Sequence, residues 1–249
     1  MDLAWEDVAE NHRRALERLA RARAAGARLA ILPEMFSTGF SMDAQRIAQP
    51  PGGASETFLS ESARSLGLWV AASVPEAGQP APRNMALLAA PDGSITRYAK
   101  IHPFSFAGED KVYTAGDRVV TVPIEDMRTT PFVCYDLRFP EPFRLAAEET
   151  DLFLVVANWP EARREHWRTL LRARAIENLC YVVGVNRVGE GERLRYAGDS
   201  AAISPWGETL VEGGDEDAVL ICDVDPNAVK DARARFPALA DRRPSAYRR

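Results

Sequence analysis

Residues 129–157 read TTPFVCYDLRFPEPFRLAAEETDLFLVVA, and this stretch decides the fold. The apolar run TTPFVC ends on Cys134, after which the chain turns polar at Tyr135, Asp136 and Arg138 and reaches Pro140. EPFRLAAEE then reads as a helix, and DLFLVVA as a strand so apolar that both of its faces must be covered. Strand, helix and strand in that order belong to an α/β sheet with helices packed against it.

The pattern continues in both directions. Upstream, apolar residues at Val8, Ala15, Leu16, Leu19 and Ala22 have helical spacing, with Gly26 placed to end the helix. RLAILPE follows as a short buried strand that carries Glu34 to its C-terminal end. A helix is expected within residues 56–66, closed by Gly67, and LWVAASVP is the next strand. NMALLAA and ITRYAK flank the turn PDGS as a hairpin with Lys100 at its outgoing end. Downstream come a long helix over residues 161–179, the strand CYVVGVNRV, the hairpin AAISPWGETLVE and a last strand, AVLICDV, at residues 218–224. Hairpins among alternating strands and helices predict mixed sheets, and so many strands fit two sheets with helices outside. Periodicity alone leaves a single mixed sheet open as the alternative.

The chain has 249 residues, 46% hydrophobic and 27% charged, which suits one globular domain over residues 1–249. Its 31 basic and 36 acidic residues are interspersed and give a net charge of -5, so a nucleic-acid or anionic-membrane surface is disfavoured and a small-molecule partner preferred. The opening helix lacks the apolar core of a signal peptide, and no run approaches the roughly 20 residues that span a bilayer, so a cytoplasmic location is expected. Cys134, Cys180 and Cys222 show no metal-binding spacing, and His12, His102 and His166 are scattered, so neither a disulfide framework nor a metal site is expected.

Glu34, Lys100 and Cys134 each end an apolar strand, where ligand sites of α/β proteins collect. Each has a plain alternative: Cys134 as core packing, Glu34 as a helix cap, Lys100 as a solvated charge. Together they can do chemistry. A thiol of reference pKa about 8.5 is mostly protonated at neutral pH, and a nearby carboxylate can take its proton without a histidine.

These residues also carry a resemblance. The blocks LPEMFSTGF, YAKIHPFSFAGEDKVYTAGD and VCYDLRFPE, followed by ANWP, ARAIENLCYVVGVNRVG and SPWGE, resemble in order and spacing the motifs of the nitrilase superfamily of carbon-nitrogen hydrolases. The likeness spans nearly the whole chain. It implies a four-layer αββα sandwich that usually pairs into dimers, and a cofactor-independent triad of Glu34, Lys100 and Cys134. LPEMFSTGF and VANWP are most similar to the omega-amidase branch, whose members hydrolyse the terminal amide of short 2-oxo dicarboxylate monoamides. On that reading Glu34 is the general base, and Lys100 with the backbone N–H of Tyr135 forms the oxyanion site. Glu109 matches a second glutamate of the family, expected to hold Lys100 or position substrate, with a solvated loop carboxylate as the alternative.

A substrate carboxylate needs a cation. Arg138 is the candidate, or else it forms a structural salt bridge with Asp136 or Glu141. Asn158 and Trp159 follow a strand and should enter the same crevice as polar contact and wall; Phe36 and Phe40 could line the opposite wall or simply pack the core. Cys180 and Cys222 carry no motif and are expected in the core. Competing readings keep the triad for an N-carbamoyl amino acid or another linear amide, replace it with a Cys-His pair using His102, or make the chain a silent binding protein on the same fold. The resemblance also implies one more strand ahead of the LAWED segment, so the natural start is expected upstream of Met1.

Overall fold

The computed structural model describes residues 1–247. Helix α1 (Val8–Ala24) starts where the Asp7 side chain accepts from the Glu10 N–H, and leads into strand β1 (Leu29–Ile31). Helices α2 (Ala44–Ile47) and α3 (Ala54–Leu66) follow, the latter closed by Gly67 in the left-handed conformation. Strands β2 (Trp69–Glu76), β3 (Arg83–Ala89) and β4 (Ile95–Ala99) come next, then the short helix α4 (Glu109–Val112). The second half runs β5 (Val122–Ile124), β6 (Met127–Val133), α5 (Pro140–Ala146), β7 (Leu152–Ala157), α6 (Arg164–Asn178) and β8 (Tyr181–Asn186). It ends with β9 (Val188–Gly191), β10 (Leu194–Ala197), β11 (Ala201–Ile203), β12 (Thr209–Glu212) and α7 (Pro226–Arg235).

The strands form two mixed sheets and a ribbon. The first sheet has the order β1-β2-β3-β4 with β1 parallel to β2, and the second β12-β11-β8-β7-β6-β5 with β6, β7 and β8 parallel. β9 and β10 pair as the separate ribbon. Alternation along the first sheet explains how both faces are used. Val70, Ala72 and Val74 of β2 and Met85, Leu87 and Ala89 of β3 pack with α1 and α3, while Ala71, Ala86 and Leu88 join Val133, Leu154 and Val156 between the sheets. Trp167, Leu171 and Phe143 cover the second sheet from α6 and α5. The expected α/β sandwich of two mixed sheets with helices outside is the observed architecture.

Residues 218–224 are a correction. The expected strand AVLICDV makes no ladder, and Leu220 and Ile221 are exposed, because a strand needs a neighbour for its N–H and C=O groups and none is beside it. Cys222, expected in the core, is half-buried for the same reason. Between this segment and the edge strand β1 lies an apolar groove of about 310 Å³, lined among others by Leu29, Ile31, Val183, Val219 and Met1.

Candidate active site

Past β1 the chain stays beside β2, with Leu32 N–H donating to Ala71 O at 2.8 Å and Met35 N–H to Ser73 Oγ at 2.9 Å. Met35 takes a positive φ of 44°, and the turn leaves Glu34 fully buried. Lys100 follows β4 directly, anchored by its N–H on Asn84 O at 3.0 Å, while its own carbonyl accepts from Gly116 N–H at 2.7 Å. A Cβ at Gly116 would lie 2.2 Å from Ala99 O, so only glycine lets the loop close this tightly over Lys100.

The three charges meet. Lys100 Nζ donates to Glu34 Oε1 at 3.0 Å and to Glu109 Oε2 at 2.8 Å, all three side chains being buried. Burial alone would push the Lys100 ammonium down, but Glu109 and Glu34 outweigh it and hold its pKa above the ordinary lysine value. Burial pushes the Glu109 carboxyl up, opposed by Lys100 and reinforced by the like charge of Glu34. Glu109 is thus no solvated loop carboxylate: it also accepts from Phe104 N–H at 2.5 Å and from Asn84 Nδ2 at 3.1 Å.

Cys134 directly follows β6 with a φ of 46°, a left-handed conformation that costs a non-glycine residue about 1–3 kcal/mol and must be held by its surroundings. Asp136 does the holding. Its carboxylate accepts from Val133 N–H at 3.0 Å, Tyr98 Oη at 2.8 Å and His102 N–H at 2.9 Å, and lies 2.8 Å from His102 Nδ1. Burial and then Asp136 push the Tyr98 phenol well above its usual range, so it stays a donor. Burial first, then the charge of Glu34, push the Cys134 thiol up as well. The resting nucleophile is therefore a neutral thiol beside a carboxylate, which suits proton transfer during attack.

Cys134 opens into a cavity of about 110 Å³ bounded by Phe40, Phe104, Tyr135, Trp159, Arg163 and Tyr196, with Arg138 and Glu192 also on its wall. Several expected roles change. Phe36 is not on this wall: it is fully buried and stacks with His12 and Phe58 at centroid distances of 5.7 and 5.8 Å, because the turn at Met35 sends it into the core under α1 and α3. Phe40 does line the cavity, 5.2 Å from Lys100 Nζ. Asn158 lines the cavity as expected, while its donors are held by Glu34, its N–H on Oε2 at 2.8 Å and its Nδ2 on the backbone carbonyl at 2.6 Å. Arg138 pairs with neither Asp136, whose acceptors face inward, nor Glu141; it stacks 5.3 Å from the Trp159 ring and donates to His166 Nδ1 at 3.2 Å. His102 is engaged by Asp136 and stacks on Phe139 at 3.9 Å, which removes the basis for a Cys-His pair.

Three residues at the site escape a reading of strand ends. Asn84 is the second residue of β3, and the signal for it is a polar side chain immediately ahead of the apolar run Met85–Ala89. Tyr196 lies on β10, where burial raises its phenol to about 12, and Arg163 stacks 5.3 Å from Phe104.

A site of this make-up can be compared with known proteins. The profile of the carbon-nitrogen hydrolase family matches residues 1–234. The chain belongs to the carbon-nitrogen hydrolase family. This hydrolase is 41% identical over 216 residues to the omega-amidase YafV of Yersinia enterocolitica, covering 85% of this chain and 82% of that one. It is 30% identical over 250 residues to the 2-oxoglutaramate amidase of Bacillus subtilis strain 168, covering 99% and 96%. Among solved structures, a CN-hydrolase superfamily protein from Xanthomonas campestris with an arsenic adduct in its active site superposes with a TM-score of 0.93 at 40% identity, covering 97% of this chain and 94% of that one. A nitrilase-superfamily member from Saccharomyces cerevisiae shares the fold at 23% identity, with a TM-score of 0.86 over 95% and 91% of the two chains. The protein is a nitrilase-superfamily hydrolase that acts on non-peptide carbon-nitrogen bonds of amides.

Phe36 and Phe40 supply a test of the wall. Phe36→Ala should cost about 3–5 kcal/mol of stability in urea, as a buried aromatic does, while Phe40→Ala should change KM for the amide with a smaller loss of stability. The reverse pattern would return Phe36 to the pocket.

Proposed function

We propose that the protein is an omega-amidase, converting 2-oxoglutaramate and 2-oxosuccinamate to the dicarboxylic acid and ammonia through a thioester on Cys134. The observation that carries the reading is the buried Glu34, Lys100, Glu109 and Cys134 group opening into a small cavity whose wall holds the cations Arg138 and Arg163. The relatives named omega-amidase and 2-oxoglutaramate amidase support the substrate class.

In this mechanism Glu34 takes the thiol proton as Cys134 sulfur attacks the amide carbon. Negative charge develops on the amide oxygen, where the Lys100 ammonium and the Tyr135 N–H stabilise it. Glu34 returns the proton to the nitrogen, and ammonia leaves. Water, deprotonated by Glu34, then attacks the thioester carbon, releasing the acid and restoring the thiol. Arg138, backed by the Trp159 ring, and Arg163, backed by Phe104, bind the substrate carboxylate from the cavity wall. Trp159 and Phe40 give the apolar sides that fit a short chain. No cofactor enters the scheme, and cytoplasmic action as a homodimer belongs to the same reading. Among the described residues no helix is long and apolar enough to cross a membrane.

Ammonia release from 2-oxoglutaramate, 2-oxosuccinamate, glutamine and an N-carbamoyl amino acid tests the reading. Turnover is expected for the two 2-oxo monoamides alone and should vanish in Cys134→Ala. Carbon dioxide released with ammonia from the carbamoyl substrate would reassign the protein to carbamoyl hydrolysis. For carboxylate binding, Arg138→Gln should raise KM by roughly 10- to 100-fold, the worth of a hydrogen bond to a charge, with kcat much less changed. An unchanged KM would remove Arg138 from the substrate contact.

A further inference from the structure

Two carboxylates share one ammonium in the buried cluster, so with Glu34 and Glu109 both ionised a negative charge is left over. The structure holds it with neutral donors. Asn84 is the one that spans both acids: its Nδ2 lies 2.7 Å from Glu34 Oε1 and 3.1 Å from Glu109 Oε1. Its Oδ1 is buried with no hydrogen-bond partner among the described residues. An amide that leaves its acceptor orphaned to keep both hydrogens on carboxylates is oriented by those carboxylates.

The consequence falls on Glu34. Each carboxylate oxygen has two lone-pair sites, and Oε1 accepts from both Asn84 Nδ2 and Lys100 Nζ, at 2.7 and 3.0 Å. Oε2 has one short bond, from Asn158 N–H at 2.8 Å, and a contact of 3.5 Å with Asn158 Nδ2 that lies at the limit of hydrogen bonding. The open lone pair is therefore on Oε2. We propose that Asn84 is a positioning residue which, with Lys100, saturates Glu34 Oε1 and so makes Oε2 the atom that takes the Cys134 proton and later gives it to the leaving nitrogen. In the same act it ties Glu109 to Glu34. The inference rests on the reading of Glu34 as the base.

Losing a donor to a carboxylate disfavours its charged form, so its pKa rises and the acid limb of any process that needs it moves to higher pH. The experiment is the pH dependence of Cys134 alkylation by iodoacetamide in the full chain, for wild type, Asn84→Ala, Asn84→Ser and Glu34→Gln, with near-UV circular dichroism and melting as checks of folding. Alkylation needs no amide substrate, so it stands apart from the assignment of specificity. Asn84→Ala is expected to move the acid limb up by about one pH unit, the scale of one charged hydrogen bond, and to slow alkylation at neutral pH. Asn84→Ser, which restores a single donor, should recover part of that shift; Glu34→Gln should abolish the limb. If Asn84→Ala keeps the wild-type limb while Glu34→Gln loses it, the role of Asn84 is overturned and Glu34 stands. If Glu34→Gln also keeps the limb, the reading of Glu34 as base fails first. A melting point lowered in Asn84→Ala with an unmoved limb would show a structural role only and overturns the proposal; should Asn84→Ala not fold, the Asn84→Ser limb decides alone.

Discussion

Everything at the centre of this protein is arranged around one ammonium buried between two carboxylates. Lys100 cannot be taken out of water without compensation, and Glu34 and Glu109 provide it at 3.0 and 2.8 Å. Neither acid could be buried alone. Removing any member would leave an uncompensated charge in the interior, so the three residues pin together the end of β4, the turn after β1 and the start of α4. The remaining negative charge is shared among Asn84, the Asn158 N–H and the Phe104 N–H, which are neutral donors that add no charge of their own.

That cluster belongs to the first sheet and its loops, whereas the nucleophile belongs to the second. Hydrogen bonds join them across the sandwich: Asn158, after β7, donates to Glu34 through its N–H and its Nδ2, and Tyr98 of β4 and the His102 N–H donate to Asp136, which holds the turn carrying Cys134. The packing of Ala71, Ala86 and Leu88 against Val133 and Val156 brings these partners to bonding distance. Base and nucleophile are thus assembled by the same burial that closes the core, and the positive φ at Cys134 is sustained by it.

The parts of the fold that could be read from the chain are those with long, uniform periodicity. The opening helix, the β3–β4 hairpin and the run from Thr129 to Ala157 show it, and their bounds shifted by only a residue or a few. The β5 strand and the β9–β10 ribbon are three or four residues long and of mixed polarity, too short to show a period. Residues 218–224 failed in the opposite direction. Their composition is that of a strand, but pairing is a property of the neighbour, and none is present. Helix α7 begins just beyond them, where the Asp225 side chain accepts from the Asn227 N–H and Pro226 opens the first turn, a start signal legible in the sequence.

At the site, the identities of Glu34, Lys100 and Cys134 were legible because each interrupts an apolar run with a group that water, or a partner, must satisfy. What sequence cannot contain is which partner. Phe36 and Phe40 are equivalent as letters, yet a positive φ at Met35 sends one into the core and leaves the other on the cavity wall. Arg138 could equally have met Asp136, until Asp136 was found spent on Val133, Tyr98 and His102. The chain by itself determined which residues can carry charge, take a proton or act as a nucleophile, and which segments must be buried. Only the tertiary structure decided how those groups are paired, because pairing depends on distances of a few ångströms between segments far apart in sequence, and burial makes each pairing exclusive.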